Sequence, residues 1–215
     1  MITILLADDH ALMRAGLKRI LEDERDMQVV AEASDGLEAV EAYQRIRPAV
    51  TVLDISMPKM DGLDVLRHIL ELDPKARILF LTVYPEKQYG ARVLKAGALG
   101  YVTKGICSYE LPQAVRTVAG GRRYISDEAK DVLAMQALAS RSDLAPLERL
   151  SNRELQVLRL IARGRRTRQI ADQLGVSVKT VHTYRVRLLE KLCLESNADL
   201  CRFAFEQGLV ETAAR

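Results

Sequence analysis

The sequence of 215 residues contains no tryptophan, three phenylalanines and only three cysteines. Cys107, Cys193 and Cys201 are odd in number and form no Cys-x-x-Cys pair, which disfavours a disulfide framework and a zinc site. We interpret Cys193 and Cys201 as small core residues. No apolar run approaches the roughly 18 residues that a membrane span needs. These absences predict a protein of a reducing compartment without a membrane partner, and we expect it in the cytoplasm.

The net charge is +3 overall but is distributed unevenly along the chain. Residues 1–120 hold 15 basic and 17 acidic side chains, a net of −2, and residues 121–148 hold 4 and 5, a net of −1. Residues 149–215 hold 13 basic and 7 acidic side chains, a net of +6. An acidic front and a basic tail indicate different partners for two domains, with a polyanion as the partner of the tail.

Short apolar runs alternate with helical patterns over the first 120 residues. Runs typical of strands lie at 2–7, 29–33, 50–54, 78–81 and 100–102, and helical patterns lie at 11–22, 36–46, 62–71, 87–96 and 108–119. This alternation predicts an α/β domain whose parallel sheet is covered by helices on both faces. Gly120 and Gly121 end the last of these helices, and a further helix is predicted at 127–139, before a linker.

Three carboxylates stand at the ends of predicted strands. Asp8 and Asp9 follow the first apolar run, and Asp54 ends the third, before Pro58 and Gly62 turn the chain. Because open α/β sheets place their sites at the carboxyl ends of the strands, neighbouring strands would bring all three into one pocket. Three close carboxylates stay ionised only beside a cation, and oxygen ligands favour Mg²⁺. An aspartate beside Mg²⁺ can be a nucleophile that forms an aspartyl phosphate.

Two later runs end on residues that suit an anionic group. The fourth run leads into Thr82, whose hydroxyl can donate a hydrogen bond to a phosphoryl oxygen. The fifth is short and ends on Lys104, a point cation on a flexible stem. Both residues therefore fit phosphoryl chemistry at the same edge of the sheet.

The order of these residues resembles the receiver domain of two-component response regulators over about residues 1–120. The shared pattern is an acidic pair, a strand-end aspartate with proline four residues later, a strand-end threonine and a late lysine. The resemblance implies a flavodoxin-like sheet of five parallel strands in the order 2-1-3-4-5. It also implies that Asp54 accepts a phosphoryl group from a sensor histidine kinase. The other implied roles are Mg²⁺ binding by Asp8, Asp9 and Asp54 with the backbone carbonyl of Ser56, phosphoryl binding by Thr82 and Lys104, and switching by Thr82 and Tyr101.

Simpler interpretations of the same residues stay open. Asp8 and Asp9 taken alone would cap the helix that starts near residue 11, and Lys104 alone would be a surface charge. His10 adjoins the acidic pair, but no second histidine stands at ligand spacing, so we interpret it as a solvated helix residue. An aspartate-nucleophile phosphatase would need a second aspartate two residues after the nucleophile, where this chain has Ser56. We therefore predict a regulator and not an enzyme.

The tail is helical in pattern and contains a helix-turn-helix. Ser151 and Glu154 have the spacing of a capping box. Helices are predicted at 155–163, 167–174, 178–191 and 197–206. The second and third are joined by a tight turn at Gly175, and in such a motif the second helix of the pair enters the DNA major groove. The residues of that helix expected in the core are Val181, Leu188 and Leu192.

The tail resembles the LuxR-type DNA-binding domain of FixJ-like and NarL-like regulators over about residues 149–212. The matching stretches include Leu150–Glu154, Val157–Gly164 and Leu174–Val181. The resemblance implies an all-α four-helix domain that binds double-stranded DNA and pairs two copies through the helix at 197–206. By position, the implied base contacts are His182, Thr183 and Val186, and the implied phosphate contacts are Lys179, Thr180, Arg185 and Arg187, with Arg168 on the preceding helix.

Three segments are therefore predicted: a receiver at 1–120, a linker with a helix at 121–148, and a DNA-binding domain at 149–215. The predicted function is a DNA-binding transcriptional regulator that phosphorylation of Asp54 drives towards a homodimer on DNA. The alternative is a constitutive DNA-binding protein that uses its receiver only for dimerisation.

Overall fold

The computed structural model describes residues 1–84, 86–126 and 146–210, which form two compact units, one on each side of the 127–145 stretch. The helix predicted at 127–139 lies outside these described residues. Within them, no helix combines the length and the apolar character that crossing a membrane requires.

The first unit is a parallel sheet whose strands alternate with helices. The strands are β1 (Ile2–Ala7), β2 (Met27–Ala33), β3 (Val50–Leu53), β4 (Ile78–Thr82) and β5 (Gly100–Thr103), and the helices are α1 (Ala11–Glu22), α2 (Gly36–Ile46), α3 (Gly62–Leu72), α4 (Glu86–Lys95) and α5 (Cys107–Ala119). All neighbouring strands pair in parallel, in the order β2-β1-β3-β4-β5. The predicted fold and strand order are confirmed, and the three central strands β1, β3 and β4 end side by side.

The core explains why the apolar runs are continuous. Every residue of β3 and β4 is buried, as expected of central strands with helices on both faces. On one face, alternate residues such as Ile4 and Val52 pack against Leu17 of α1 and Val115 of α5. Successive side chains of a strand point to opposite faces of the sheet. Phe80 and the other strand residues on its face therefore point towards the helices on the other side.

The edge of the sheet continues beyond α5. The amide of Tyr101 donates to the carbonyl of Tyr124 over 3.1 Å, and the amide of Tyr124 donates to the carbonyl of Leu99 over 2.8 Å. A single parallel bridge thereby covers part of the exposed edge of β5. Tyr124 of the predicted linker thus lies against the edge strand β5.

The second unit consists of a 3₁₀ turn and four α-helices within the described residues. The turn is Pro146–Arg149, and the helices are α6 (Asn152–Ala162), α7 (Thr167–Leu174), α8 (Val178–Leu192) and α9 (Asn197–Glu206). The predicted capping box is present, since Ser151 and Glu154 bond reciprocally at the start of α6. Gly175, at a φ of 64°, ends α7, and Ser177 caps α8 through the amide of Thr180.

Helix α6 is the centre of this unit and packs against α7, α8 and α9. Val181 and Leu188 of α8 are buried, as predicted, whereas Leu192 is half-buried. The prediction that Cys193 is a core residue is wrong: it is exposed and ends α8 in the left-handed conformation, with φ of 54°. Cys193 lies just after the last turn of α8, where the chain changes direction, and its side chain is therefore at the surface.

Candidate functional site

Adjacent strand ends bring Asp8 and Asp54 together. The amide of Asp54 donates to the carbonyl of Ala7 over 2.9 Å, so the ladder between β1 and β3 continues up to the site. Both carboxylates are buried, with Asp8 1% and Asp54 4% exposed, whereas Asp9 faces solvent. The strand order therefore places one acidic group from each strand at the same edge, as the sequence predicted.

Lys104 lies between the two buried carboxylates. Its Nζ is 2.7 Å from Oδ2 of Asp8 and 2.8 Å from Oδ2 of Asp54. The residue is only 8% exposed, so its interpretation as a surface charge is wrong. A buried ammonium is costly unless it is paired, and these two carboxylates supply the pairing.

The buried charges shift one another's titration. Burial raises the pKa of Asp54 above its usual range, although the Lys104 ammonium acts in the opposite direction. Burial alone would lower the pKa of Lys104, but the carboxylates of Asp54 and Asp8 hold it above its ordinary value. A carboxylate that is costly to keep charged gains from any added positive charge at the site.

The acidic cluster has the donors that Mg²⁺ prefers. One ligand atom each from Asp8, Asp9, His10 and Asp54 lies within 4.8 Å of the others. Carboxylate oxygens at this spacing suit a hard dication that keeps several waters. The capping interpretation of the acidic pair is not what the structure shows, because His10 holds the N-cap position of α1 and its amide donates to Oδ1 of Asp8. The residues present therefore fit the ion.

Thr82 ends β4 beside this centre. Its side chain is 0% exposed, and its Oγ1 makes no hydrogen bond within the described residues. The hydroxyl is nevertheless close enough to Asp54 to favour the charged form of that carboxyl. A buried hydroxyl without a partner is costly, and at a functional site it indicates a missing acceptor.

A tyrosine that sequence reasoning missed connects the remaining site residues. The hydroxyl of Tyr101 donates to the carbonyl of Tyr84 over 2.9 Å, and the hydroxyl of Tyr84 shares a hydrogen bond of 2.7 Å with Oγ of Ser56. The ring of Tyr84 also stacks on that of Tyr89, with 5.0 Å between the centroids. The loop after Thr82 is thereby bonded both to Tyr101, the predicted switch residue, and to the loop after Asp54. In the sequence, the only signal for Tyr84 was its position two residues after Thr82.

Helix α8, which the sequence predicts to enter the DNA major groove, brings a part of the predicted DNA contacts together. A shallow groove of roughly 300 Å³ runs along it between residues 177 and 187. His182 and Val186 are exposed on the same helix, and Arg168 is exposed on α7. The groove is lined by Ser177, Lys179, Thr180, Thr183, Tyr184 and Arg187.

Arg185 lies differently from the other predicted contacts. Its side chain is half-buried, and its Nε donates to Oδ1 of Asn197 at the start of α9 over 2.5 Å. This guanidinium joins α8 to α9, the helix predicted to pair two copies. Its phosphate contact stays a prediction, since only the remaining N–H groups are available for it.

Two family models match the chain. The model described as response regulator receiver domain matches residues 4–116, and the model described as bacterial regulatory proteins, luxR family, matches residues 148–204. The first match includes the acidic cluster, Thr82 and Lys104, and the second includes α6, α7 and α8.

Relatives share the full length of the chain. Response regulator GacA of Pseudomonas aeruginosa is 37% identical over 214 residues, which is 100% of both chains. Response regulator UvrY of Escherichia coli (strain K12) is 39% identical over 209 residues, covering 97% of this chain and 96% of the relative. Among solved structures, RcsB of Salmonella enterica serovar Typhimurium, bound to promoter P1flhDC in the presence of the phosphomimetic BeF₃⁻, is similar with a TM-score of 0.66 and 26% identity. That match covers 94% of this chain and 97% of the RcsB chain.

Proposed function

The chain belongs to the response regulators that join a receiver domain to a LuxR-type DNA-binding domain, and we propose that phosphorylation of Asp54 controls it. The phosphoryl donor in this proposal is a sensor histidine kinase, and the output is DNA binding by a homodimer. The three segments would be the receiver at 1–120, the linker at 121–148 and the DNA-binding domain at 149–215.

One observation carries this proposal. A buried carboxylate, a buried ammonium and a buried hydroxyl without a partner meet at one sheet edge, in Asp54, Lys104 and Thr82. A phosphoryl group on Asp54 would accept from both donors, so it would supply the acceptor that the hydroxyl lacks.

The transfer step follows from the chemistry of Asp54. A carboxylate oxygen of Asp54 attacks the phosphorus of a phosphohistidine, an O–P bond forms, and the N–P bond breaks. The departing ring nitrogen of the histidine keeps the electron pair of the N–P bond and takes up a proton from solvent, which leaves a neutral imidazole. Asp8 and Asp9 would hold Mg²⁺ together with Asp54 and the Ser56 carbonyl, and the ion would neutralise charge on the transferred group. Lys104 would move from the Asp54 carboxylate to a phosphoryl oxygen.

The signal would leave the site through the loop that follows β4. Thr82 would donate to the phosphoryl group. A movement of Thr82 would shift the backbone two residues further on, where the Tyr84 carbonyl accepts a hydrogen bond from the hydroxyl of Tyr101. This loop would have two conformations, and phosphorylation would shift the equilibrium between them.

Covalent labelling tests the proposal directly. We expect acetyl phosphate and Mg²⁺ to add one phosphoryl group to the full-length chain, with release of acetate, and mass mapping to place it on residue 54. Asp54→Asn should stay unmodified, and chelation of the ion should slow labelling. Modification at another residue, or none in the wild type, would overturn the proposal.

Replacing Thr82 with valine should act in opposite directions on stability and on phosphoryl binding. Loss of an unsatisfied buried hydroxyl should leave the metal-free protein as stable as the wild type or more stable by about 1 kcal/mol. Loss of a hydrogen bond to a charged group, worth roughly 1.5–3 kcal/mol, should weaken beryllofluoride binding about tenfold or more. Calorimetric titration with beryllofluoride measures the second effect.

Thr51 supplies the matched control for this substitution. It lies in β3, is fully buried, and its Oγ1 also makes no hydrogen bond within the described residues. Thr51→Val should therefore reproduce the stability effect with unchanged beryllofluoride affinity. Equal weakening by both variants would mean that Thr82 acts through packing alone.

DNA binding is proposed for the face of α8 that carries the groove. The similar RcsB structure is bound to promoter DNA. In this chain, residues 149–215, which contain most of the luxR-family match, have a net charge of +6. Lys179, Thr180, Arg185, Arg187 and Arg168 would contact phosphates, while His182, Thr183 and Val186 would approach base edges.

Arg187→Ala should weaken binding to every DNA sequence by a similar factor. The side chain is exposed on α8 and lines the groove, so its expected role is a phosphate contact without sequence information. The slope of log affinity against log salt should fall by about 1. Fluorescence anisotropy at several salt concentrations measures the affinity and this slope, with Arg45→Ala on α2 as control. A change in sequence preference at constant slope would contradict the assignment.

A further inference from the structure

The acidic cluster divides into an inner and an outer half. In the inner half, Oδ2 of Asp8 and Oδ2 of Asp54 both lie within 2.8 Å of the Lys104 ammonium. In the outer half, Oδ1 of Asp8 and Oδ1 of Asp9 lie 3.4 Å and 2.7 Å from Nδ1 of His10. Asp8 thus offers one oxygen to each half, and the inner half already holds the Lys104 ammonium.

The spacing of the outer half suits a coordinated ion. Neighbouring ligands of an octahedral ion with bonds of roughly 2.1 Å lie about 3 Å apart. The two distances from Nδ1 of His10 lie on either side of this value. Small side-chain rotations would therefore allow two carboxylate oxygens and one imidazole nitrogen to share an ion.

The position of His10 is held by the backbone, while its ring stays accessible. Its amide donates to Oδ1 of Asp8 over 2.9 Å, and the residue is the N-cap of α1. The side chain is 71% exposed and borders an open apolar cavity of about 410 Å³. An ion and its waters can therefore enter from solvent without displacing the core.

We propose that His10 is a nitrogen ligand of an ion held with Asp8 and Asp9, and that this outer half selects transition dications such as Mn²⁺, Co²⁺ and Zn²⁺ over Mg²⁺. The inference rests on the proposed function, which requires a dication at the acidic cluster. Imidazole binds these ions well, whereas Mg²⁺ prefers oxygen ligands and keeps its waters. The nitrogen ligand should therefore contribute to binding of the first group and little to binding of Mg²⁺.

The test compares ions on the full-length protein and on its His10→Ala and His10→Asn variants. Titration calorimetry gives the affinity for Mg²⁺, Mn²⁺ and Co²⁺, and visible absorption of bound Co²⁺ reports the ligand field. We expect both variants to lose about tenfold or more in Co²⁺ affinity, to shift the Co²⁺ absorption, and to bind Mg²⁺ as the wild type does. His68→Ala, which removes an exposed histidine on α3, should change none of these values.

The outcomes separate this inference from the function on which it rests. Equal loss of Mg²⁺ and Co²⁺ affinity would show that His10 only positions the acidic pair and would overturn the inference. Wild-type Co²⁺ affinity and absorption in both variants would overturn it as well. In either case Mg²⁺ binding by the wild type would leave the phosphorylation proposal standing. A wild type that binds none of these ions would overturn both.

Discussion

Replacing Asp54 with asparagine is expected to abolish the gain in DNA affinity that beryllofluoride and Mg²⁺ give the wild-type protein. Beryllofluoride mimics a phosphoryl group only on a carboxylate oxygen, and asparagine offers none. Coupling between two sites of one protein is typically worth roughly 5–150-fold in affinity, so the wild type should gain within that range. Fluorescence anisotropy measures DNA binding, and sedimentation measures dimerisation, on both proteins with and without the analogue.

The substitution should leave the receiver folded, which makes the result interpretable. Burial raises the pKa of Asp54, so its charge is costly in the native state, and Asp8 remains to pair with Lys104. Asp64→Asn is a matched control, because Asp64 lies on α3 and pairs with Arg67 outside the cluster. It should respond to the analogue as the wild type does.

The same experiment decides between the two functions that the sequence left open. A gain in both dimerisation and DNA binding in the wild type, absent in Asp54→Asn, supports the phosphorylation switch. Equal binding by all three proteins in every condition would mean that the receiver is a constitutive dimerisation module.

Gly62→Ala is expected to be among the most destabilising single substitutions in the receiver. A Cβ added at Gly62 would lie 2.1 Å from the carbonyl oxygen of Asp54 and 3.0 Å from Cε1 of Phe80. The amide of Gly62 also donates to the carbonyl of Ile55, so the backbone of this turn cannot retreat without losing that bond. We expect a loss of about 3 kcal/mol or more, together with weaker Mg²⁺ binding, because the shift passes directly to Asp54.

Hydrogen exchange measured by mass spectrometry localises this effect. Amides of β3 and β4 should exchange faster in Gly62→Ala, while those of α8 in the other unit serve as an internal reference. Gly16→Ala is the control, since a Cβ there meets nothing within 4 Å. That variant lies in the interior of α1 and should be more stable by up to about 1 kcal/mol. Unchanged exchange in β3 after Gly62→Ala would refute the prediction.

The loop after Asp54 is also held from the side of α2. Asp35 caps α2, and its carboxylate lies 2.5 Å from Nζ of Lys59. The amide of Gly36 donates to the carbonyl of Pro58, and a Cβ on Gly36 would lie 2.1 Å from the carbonyl oxygen of Met60. Gly36 is thus required by close approach of two backbones, which no local pattern in the sequence indicated.

The elements of the fold were predictable because they depend on nearest neighbours in the chain. Central strands such as β3 and β4 read as unbroken apolar runs because helices cover both of their faces. The capping box at Ser151 and the turn at Gly175 depend on spacing alone. Element bounds differ most at the starts of α6, which begins at residue 152 and not at 155, and of β2, which begins at residue 27 and not at 29.

The sequence by itself determined the fold class and which carboxylates stand at strand ends. Its resemblance to the receiver family implied the strand order. Only the tertiary structure decided the long-range contacts of the site residues. Lys104 lies between two aspartates, Tyr84 bonds to Ser56, and Arg185 bonds to Asn197. The physical reason is range. Strand and helix patterns are set by residues a few positions apart, whereas these contacts join side chains through loops whose path depends on the packing of the whole domain.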